Sequence, residues 1–543
     1  MPIGHGNGKQ SLRSPVGDTQ WLGMGHSKVS MVVGIACACS LVYVVSLVLM
    51  SVHPACWTNY CLARHCTPHF TTQLFAADLN MTQRPASGAF FEDPTPNCHS
   101  VLRLRSGSSI VGPRNADVSR IVFGIAAATD MWWSRKEFLK LWWKPNSKMR
   151  GYVFLDKQPL GSYWSPELPP YRISESTAHF KYTYKGGWRS AIRISRIVSE
   201  MFRLGLRNVD WFVMGDDDTL FFVDNLVQVL SKYDHTKMFY IGSNSESHLQ
   251  NILFSYNMAF GGGGFAISYP LARALAKMQD DCLSRYSYLF GSDDRMHACM
   301  AELGIPLTKE PGFHQLDVVG DVSGLLAAHP VAPLVSLHHL EVISPIFPNT
   351  ATKNYTQVRA LKHLLKAAEM EAGSIMQQSI CYDQRRQWSF SVSWGYVVQV
   401  HKGFVTPREL EVPQKTFLSW HRESSKVEFP FNTRDNPGDV CKQPTRFFMD
   451  TVDVNPADPS FGGSLVMVGV FVREISEDKQ ACVDKLQPLS SVQRIRVRRK
   501  KQTDESWYQM PRRSCCRIMK WKNENIDIRV HECEEGESLV RSF

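Results

Sequence analysis

No pair of Cys-x-x-Cys units occurs in the 543 residues, which excludes a four-ligand zinc site of the ribbon or finger kind. Recognition-helix signatures and aromatic RNA-binding motifs are missing too. The formal net charge of +10 is therefore not read as a nucleic-acid footprint. The spacing Gly-x-Gly-x-x-Gly is absent, and no Walker lysine follows the glycine run at 261–264, so the familiar nucleotide loops are excluded. An aspartyl-phosphatase motif fails at Leu220, where Thr or Val would be required, and Phe221-Phe222 break an EF-hand loop. No internal repeat is found. Against these absences stands a composition of 43% hydrophobic and 21% charged residues, that of a folded protein with a substantial core. The length leaves room for two to four domains.

One long apolar run is present, from Val29 to Val52. About 20 such residues cross a bilayer as a helix. Lys9, Arg13 and Lys28 precede it, so the positive-inside rule keeps 1–28 cytoplasmic and places the rest on the lumenal side. The run is longer than the core of a cleaved signal peptide, and no small-x-small cleavage site follows. A signal anchor is the reading. Of 14 cysteines, Cys37 and Cys39 lie in the run and the others follow it, as suits an oxidising lumen. Sequons stand at Asn80 and Asn354.

Residues 53–117 are rich in Pro, Thr, Asn and Ser without a sustained period, the composition of a stem. From 118 to about 350, strand and helix signals alternate. Strands are expected at Ile121–Ile125, Tyr152–Leu155, Trp211–Met214 and Phe239–Ile241, and helices at Arg135–Trp143, Trp188–Leu204, Leu226–Leu230 and Pro270–Met278. Such alternation predicts an α/β domain with a mostly parallel sheet flanked by helices, in which ligands gather at the carboxyl ends of strands. Residues 351–543 read as a β-rich C-terminal region. Within it Trp388–Trp394 alternates like a half-buried strand, and Arg494–Lys501 reads as a solvated edge strand.

Four segments carry chemistry. Asp216-Asp217-Asp218 follows a buried strand. Three adjacent carboxylates beside an apolar wall repel one another, and a hard cation such as Mn²⁺ or Mg²⁺ relieves that repulsion while holding substrate phosphates. The plain alternative is an acidic turn or helix start. Gly261–Gly264 lets backbone approach a ligand closely, or is merely a loop. Ser292 is placed to cap a helix running to Leu303, with Asp293-Asp294 in its first turn and Gly304 as its stop. Those acids complement the helix dipole, or one of them serves as a base. Phe313-His314 offers an imidazole that would complete a Mn²⁺ site with aspartates; His338-His339 competes for that role.

The order aromatic strand–Asp-Asp-Asp, Gly-Gly-x-Gly-Phe, acidic pair, Phe-His resembles the Fringe-like glycosyltransferases over roughly 119–345. Gly291–Met296 and His329–His339 resemble the plant Fringe-related group, long labelled a domain of unknown function. The resemblance implies a GT-A-type, Rossmann-like fold and an inverting, metal-dependent transfer of sugar from a UDP-sugar to a glycan or glycoprotein, giving a β linkage, in the Golgi lumen. It implies Asp218 and His314, with Asp216, as metal ligands. Asp216, Asp217 and Asp156 would lie at the nucleotide-sugar, and Gly262, Gly263, Gly264 and Asp293 at the substrate floor. Asp294 would be the base. A lectin-like relative that binds glycans without turnover is the competing reading.

Overall fold

The computed structural model describes residues 116–159, 164–348, 355–421, 428–475, 481–502 and 505–540. The apolar run 29–52, residues 53–115 of the stem and both sequon asparagines, Asn80 and Asn354, lie outside the described residues. Among the described residues no helix is long and apolar enough to cross a membrane.

In chain order the first region forms β1 (Ile121–Ala126), β2 (Arg150–Leu155), β3 (Tyr171–Ile173), β4 (Trp211–Asp216), β5 (Leu220–Phe221), β6 (Tyr240–Gly242), β7 (Phe265–Ser268), β8 (Leu307–Lys309), β9 (Phe313–His314), β10 (Val318–Gly320) and β11 (Ser336–Leu337). Interleaved are α1 (Trp132–Trp142), α2 (Ser190–Ser195), α3 (Ile197–Arg203), α4 (Val223–Leu230), α5 (His248–Leu253), α6 (Tyr269–Arg285) and α7 (Ser292–Glu302). The seven-stranded sheet has the order β3-β2-β1-β4-β7-β6-β8. It is mixed: β7 runs antiparallel to β4 and β6, and the other pairings are parallel.

β1 and the first five residues of β4 are unbroken apolar runs because both their faces are covered. Phe123, Trp211 and Val213 pack with Trp132, Leu139 and Trp142 of α1 on one side. Val122 and Phe212 pack with Val198 and Met201 of α3 and Leu271 and Leu275 of α6 on the other. A smaller sheet, β5-β11-β9, lies beside them.

Two local expectations need correction. The helix expected over 188–204 is interrupted at Arg196. Ser195 donates its hydroxyl to the Ile192 carbonyl at 2.9 Å, a bond that competes with the helical ladder. Ser292 does not cap α7. Gly291 is the N-cap, and the Ser292 hydroxyl donates to Asp293 Oδ1 at 3.1 Å.

After α8 (Gln357–Met370), the C-terminal region supplies β12 (Gln378–Asp383), β13 (Trp388–Ser393), β14 (Val397–Lys402), β15 (Phe417–Ser419), β16 (Thr445–Asp458), β17 (Ser464–Arg473), β18 (Arg494–Lys500), β19 (Cys515–Lys522) and β20 (Asn525–His531). All but β15 close a barrel in the order β12-β13-β14-β16-β17-β18-β20-β19. β13 is buried on both faces rather than half-buried. Its Trp388, Phe390 and Val392 enter the core. Its serines are covered and satisfied: Ser389 donates to Gly403 O, and Ser391 accepts from Gln378, each at 2.8 Å.

β18 is not an edge strand, because β17 and β20 flank it and a closed barrel has no edge. Its arginines at 494 and 496 line the exposed face, while Arg499 turns inward to pair with Glu371 at 2.9 Å. β15 leaves the barrel and pairs antiparallel with β10, so an arm of the C-terminal region packs on the first. Disulfides join Cys282–Cys299, Cys381–Cys516, Cys441–Cys482 and Cys515–Cys533.

Candidate active site

The acid triplet sits where β4 ends. Asp216 is the last residue of β4, in register with Ala126 at the end of β1. The Asp217 N–H donates to Ala126 O at 3.0 Å. Thr219 clamps the turn from inside. Its hydroxyl oxygen accepts from Asp216 N–H at 2.8 Å and donates to Gly262 O at 2.7 Å. The buried Trp142 Nε1–H holds Thr219 O at 2.9 Å. The main chain that carries the carboxylates is therefore fixed at three points.

Asp217 and Asp218 are 2% and 1% exposed, yet Asp216 keeps 34% of its side chain open. His338, one residue past β11, faces them. Its Nε2 lies 3.1 Å from Asp218 Oδ1 and 3.6 Å from Asp216 Oδ2. One ligand atom from each of Asp216, Asp218 and His338 falls within 4.8 Å of the others.

Burial raises Asp216 to about 6, with the like charges of Asp218 and Asp293 adding to it. Burial raises Asp217 to about 7. Burial acts the same way on Asp218, but the charges of His338 and Arg135 override it and hold that carboxyl well below its usual range. His338 is raised to about 9: burial opposes its charge, and Asp218 and Asp216 more than offset that.

Arg135 of α1 completes the charge balance. Its guanidinium meets Asp217 at 3.0 Å, Asp218 at 3.6 Å and Glu341 at 2.9 Å. A second arginine, Arg193, is buried near the ends of β1 and β2 and donates to Ala127 O and Phe154 O, both at 3.0 Å. Neither was singled out from sequence, where each is one cation among many on a helix.

His314 does not join the triplet. Its Nδ1 lies 3.0 Å from Glu246 and its Nε2 3.0 Å from His329. With Glu246 it lines a groove of about 630 Å³ that the barrel's arm walls on the far side through Phe417 and Phe431. His339 is turned toward Asp317 at 3.5 Å and stacks on Trp420 at 4.3 Å. Of the histidines weighed from sequence, His338 is the one placed among the aspartates.

The glycines pack against the site's own side chains. A β-carbon on Gly262 would fall 2.0 Å from His338 Cε1, and one on Gly261 2.5 Å from Asp293 Oδ1. Gly264 adopts φ +87° beneath the Phe221 ring. Gly263 donates its N–H to Gln315 at 2.8 Å.

Asp293 is held by Ser292 and by the Gly261 N–H, and burial raises it. Burial also raises Asp294, against the charges of His297 and Arg295. Asp156 follows β2, is exposed, and accepts the Thr129 N–H at 2.8 Å.

Residues 250–516 match the family model described as "Protein of unknown function, DUF604". Over 138 residues the chain is 33% identical to a β-1,3-glucosyltransferase of Mus musculus, covering 25% of this chain and 27% of that protein. Over 105 residues it is 35% identical to the β-1,3-glucosyltransferase of Homo sapiens, covering 19% and 20%. The chain thus spans about a quarter of the length of the curated relatives it matches. Among solved structures, the galactosyltransferase LgtC with donor and acceptor sugar analogs aligns over 45% of this chain and 94% of that one, at 13% identity and a TM-score of 0.27.

Proposed function

From a chain whose residues 250–516 match the DUF604 family model, with distant similarity to β-1,3-glucosyltransferases, we propose an inverting, metal-dependent glycosyltransferase of GT-A-like build. It moves a sugar from a UDP-sugar to a glycan or glycoprotein acceptor and leaves a β linkage. The observation that carries this reading is the group Asp216, Asp218 and His338, the last two buried and the first part-open, at the carboxyl end of a central strand, where such sheets collect ligands.

The donor set fits a hard divalent cation. Two carboxylates and an imidazole suit Mn²⁺ or Mg²⁺, and the buried Asp218 Oδ1 is faced by the charges of His338 at 3.1 Å and Arg135 at 3.6 Å, the place a cation would take. When bound, such an ion supplies positive charge against a diphosphate leaving group. Asp216, Asp218 and His338 would hold it. Arg135 stands ready to exchange a carboxylate for phosphate oxygens, and Asp217 and Asp156 border the nucleotide.

Asp294 is the base we assign. That role comes from the family resemblance; its neighbour Asp293 accepts from the Gly261 N–H and the Ser292 hydroxyl and lies in the field of Asp216. Asp294 takes the proton of the acceptor hydroxyl as that oxygen bonds to the anomeric carbon. The bond from that carbon to the diphosphate oxygen breaks, and UDP departs with the electron pair. The four disulfides suit an oxidising compartment, and with the run 29–52 they support a Golgi, type II membrane placement. Asp294→Asn tests the base. Transfer should be lost with UDP binding retained; lost UDP binding would move Asp294 into the donor site.

A further inference from the structure

Two loops near the acid pair meet through aromatic rings. Tyr184 and Phe290 stand 5.3 Å apart, edge to face, and Phe254, just past α5, lies 6.2 Å from Phe290. The loops are also tied by hydrogen bonds. Tyr182 Oη donates to Phe290 O at 2.9 Å, and the Thr183 N–H donates to Ser287 O at 3.0 Å. Gly187 permits the approach, since a β-carbon there would sit 1.9 Å from Tyr182 Oη. The Tyr184–Phe290 pair is therefore built, yet its rings face water, at 46% and 40% exposed, and Trp188 at 77% and Tyr288 at 58% stand exposed in the same two loops. Exposed aromatic rings gathered in two tied loops are a candidate binding face.

Its position narrows the occupant. Phe290 precedes Asp293 by three residues, and extended chain spans at most about 3.6 Å per residue, so this face begins within roughly 11 Å of that acid. Arg295 fixes the junction, its guanidinium 4.8 Å from the Tyr182 ring and donating to Gly291 O at 3.0 Å. A flat lipid or protein surface would use the rings alone. A saccharide lying along the rings uses both features. Its C–H faces stack on the rings, and its hydroxyls reach the carboxylates.

We propose that Tyr184, Trp188, Tyr288 and Phe290 form a stacking platform for the acceptor saccharide, gripping units one or two removed from the hydroxyl that reacts. This rests on the transferase reading above. The platform makes acceptor length a determinant of affinity.

The test uses the full-length protein with cello- and chito-oligosaccharides, from single units to tetramers. Binding is followed by tryptophan fluorescence and by acceptor KM. Affinity should rise with length, and Trp188→Ala and Tyr288→Ala should each raise KM by about tenfold, close to 1.4 kcal/mol, with kcat changed far less. Unchanged KM in both variants overturns the platform, as does the failure of every probe to bind the wild type at millimolar concentration. Loss of binding to phosphatidylcholine vesicles with saccharide affinity intact would also overturn it, in favour of a lipid surface. Failure of the transferase reading looks different: the wild type releases no UDP from any donor, while saccharide binding still depends on Trp188.

Discussion

The His338 ring occupies the space that a side chain on Gly262 would need, with its Cε1 2.0 Å from the position of the missing β-carbon. The glycine run and the histidine are one device: the first vacates the room from which the second reaches Asp216 and Asp218. Gly262→Ala should displace the ring and abolish Mn²⁺ binding, at an overpacking cost of about 1–3 kcal/mol. Gly263→Ala meets its nearest atom at 3.3 Å and should keep the metal. Calorimetric Mn²⁺ titration of both variants checks this; equal affinities would separate the glycines from the site.

Removing the two histidines should have unequal effects. His338→Ala deletes a ligand, and its Mn²⁺ affinity should fall by more than the roughly 10–100-fold typical of losing an outer partner. His314→Ala breaks a chain that runs from Glu246 to His329 and should leave Mn²⁺ affinity within a few-fold of wild type. The reverse ranking would restore His314 as the ligand.

Stability should carry a pH signature from Glu200. It is 5% exposed, and burial raises it to about 7, opposed by the Glu175 backbone N–H and the charge of Arg196 and aided by the charge of Glu175. The folded state therefore holds this proton more tightly than the unfolded chain does. The contribution is full below the unfolded value near 4.5 and is lost as pH rises toward 7. The loss is up to about 3 kcal/mol. Glu200→Gln should flatten that part of the profile. Urea midpoints for the two proteins across this range decide the matter, and parallel curves would refute it.

The barrel has one thin seam. β12 and β19 share a single register pair, Ile380 with Cys515, and the adjacent Cys381–Cys516 disulfide spans 135 residues. The double substitution Cys381→Ser, Cys516→Ser should cost about 4–5 kcal/mol if the loop-entropy account holds. The loss should appear first as faster amide exchange in β12 and β19. Exchange spread evenly over the barrel would argue against a seam.

Much of the site could be read from local pattern. The strand ending at Asp216, the glycine run and the acids opening α7 all announce themselves within a few residues. The choice between histidines could not, because it depends on pairing across the chain. β9 and β11 align His314 with Leu337, so His338 lies one residue beyond that register, where strand alternation turns it toward the acids. The C-terminal strands were legible singly, but closure was not. The parallel pairing of β18 with β20 joins residues that carry no signal for one another, so a row of arginines on a barrel wall read as an exposed edge.

The central claim is that Asp216, Asp218 and His338 hold a metal that serves UDP-sugar chemistry. The most direct measurement is Mn²⁺-dependent UDP release by the full-length protein across a panel of UDP-sugars, with wild type, His338→Ala and Asp218→Asn compared. The account predicts that at least one donor is turned over by the wild type, that chelation stops it, and that both variants are inactive while folded. Folded wild-type protein that neither binds Mn²⁺ nor turns over any UDP-sugar would contradict it.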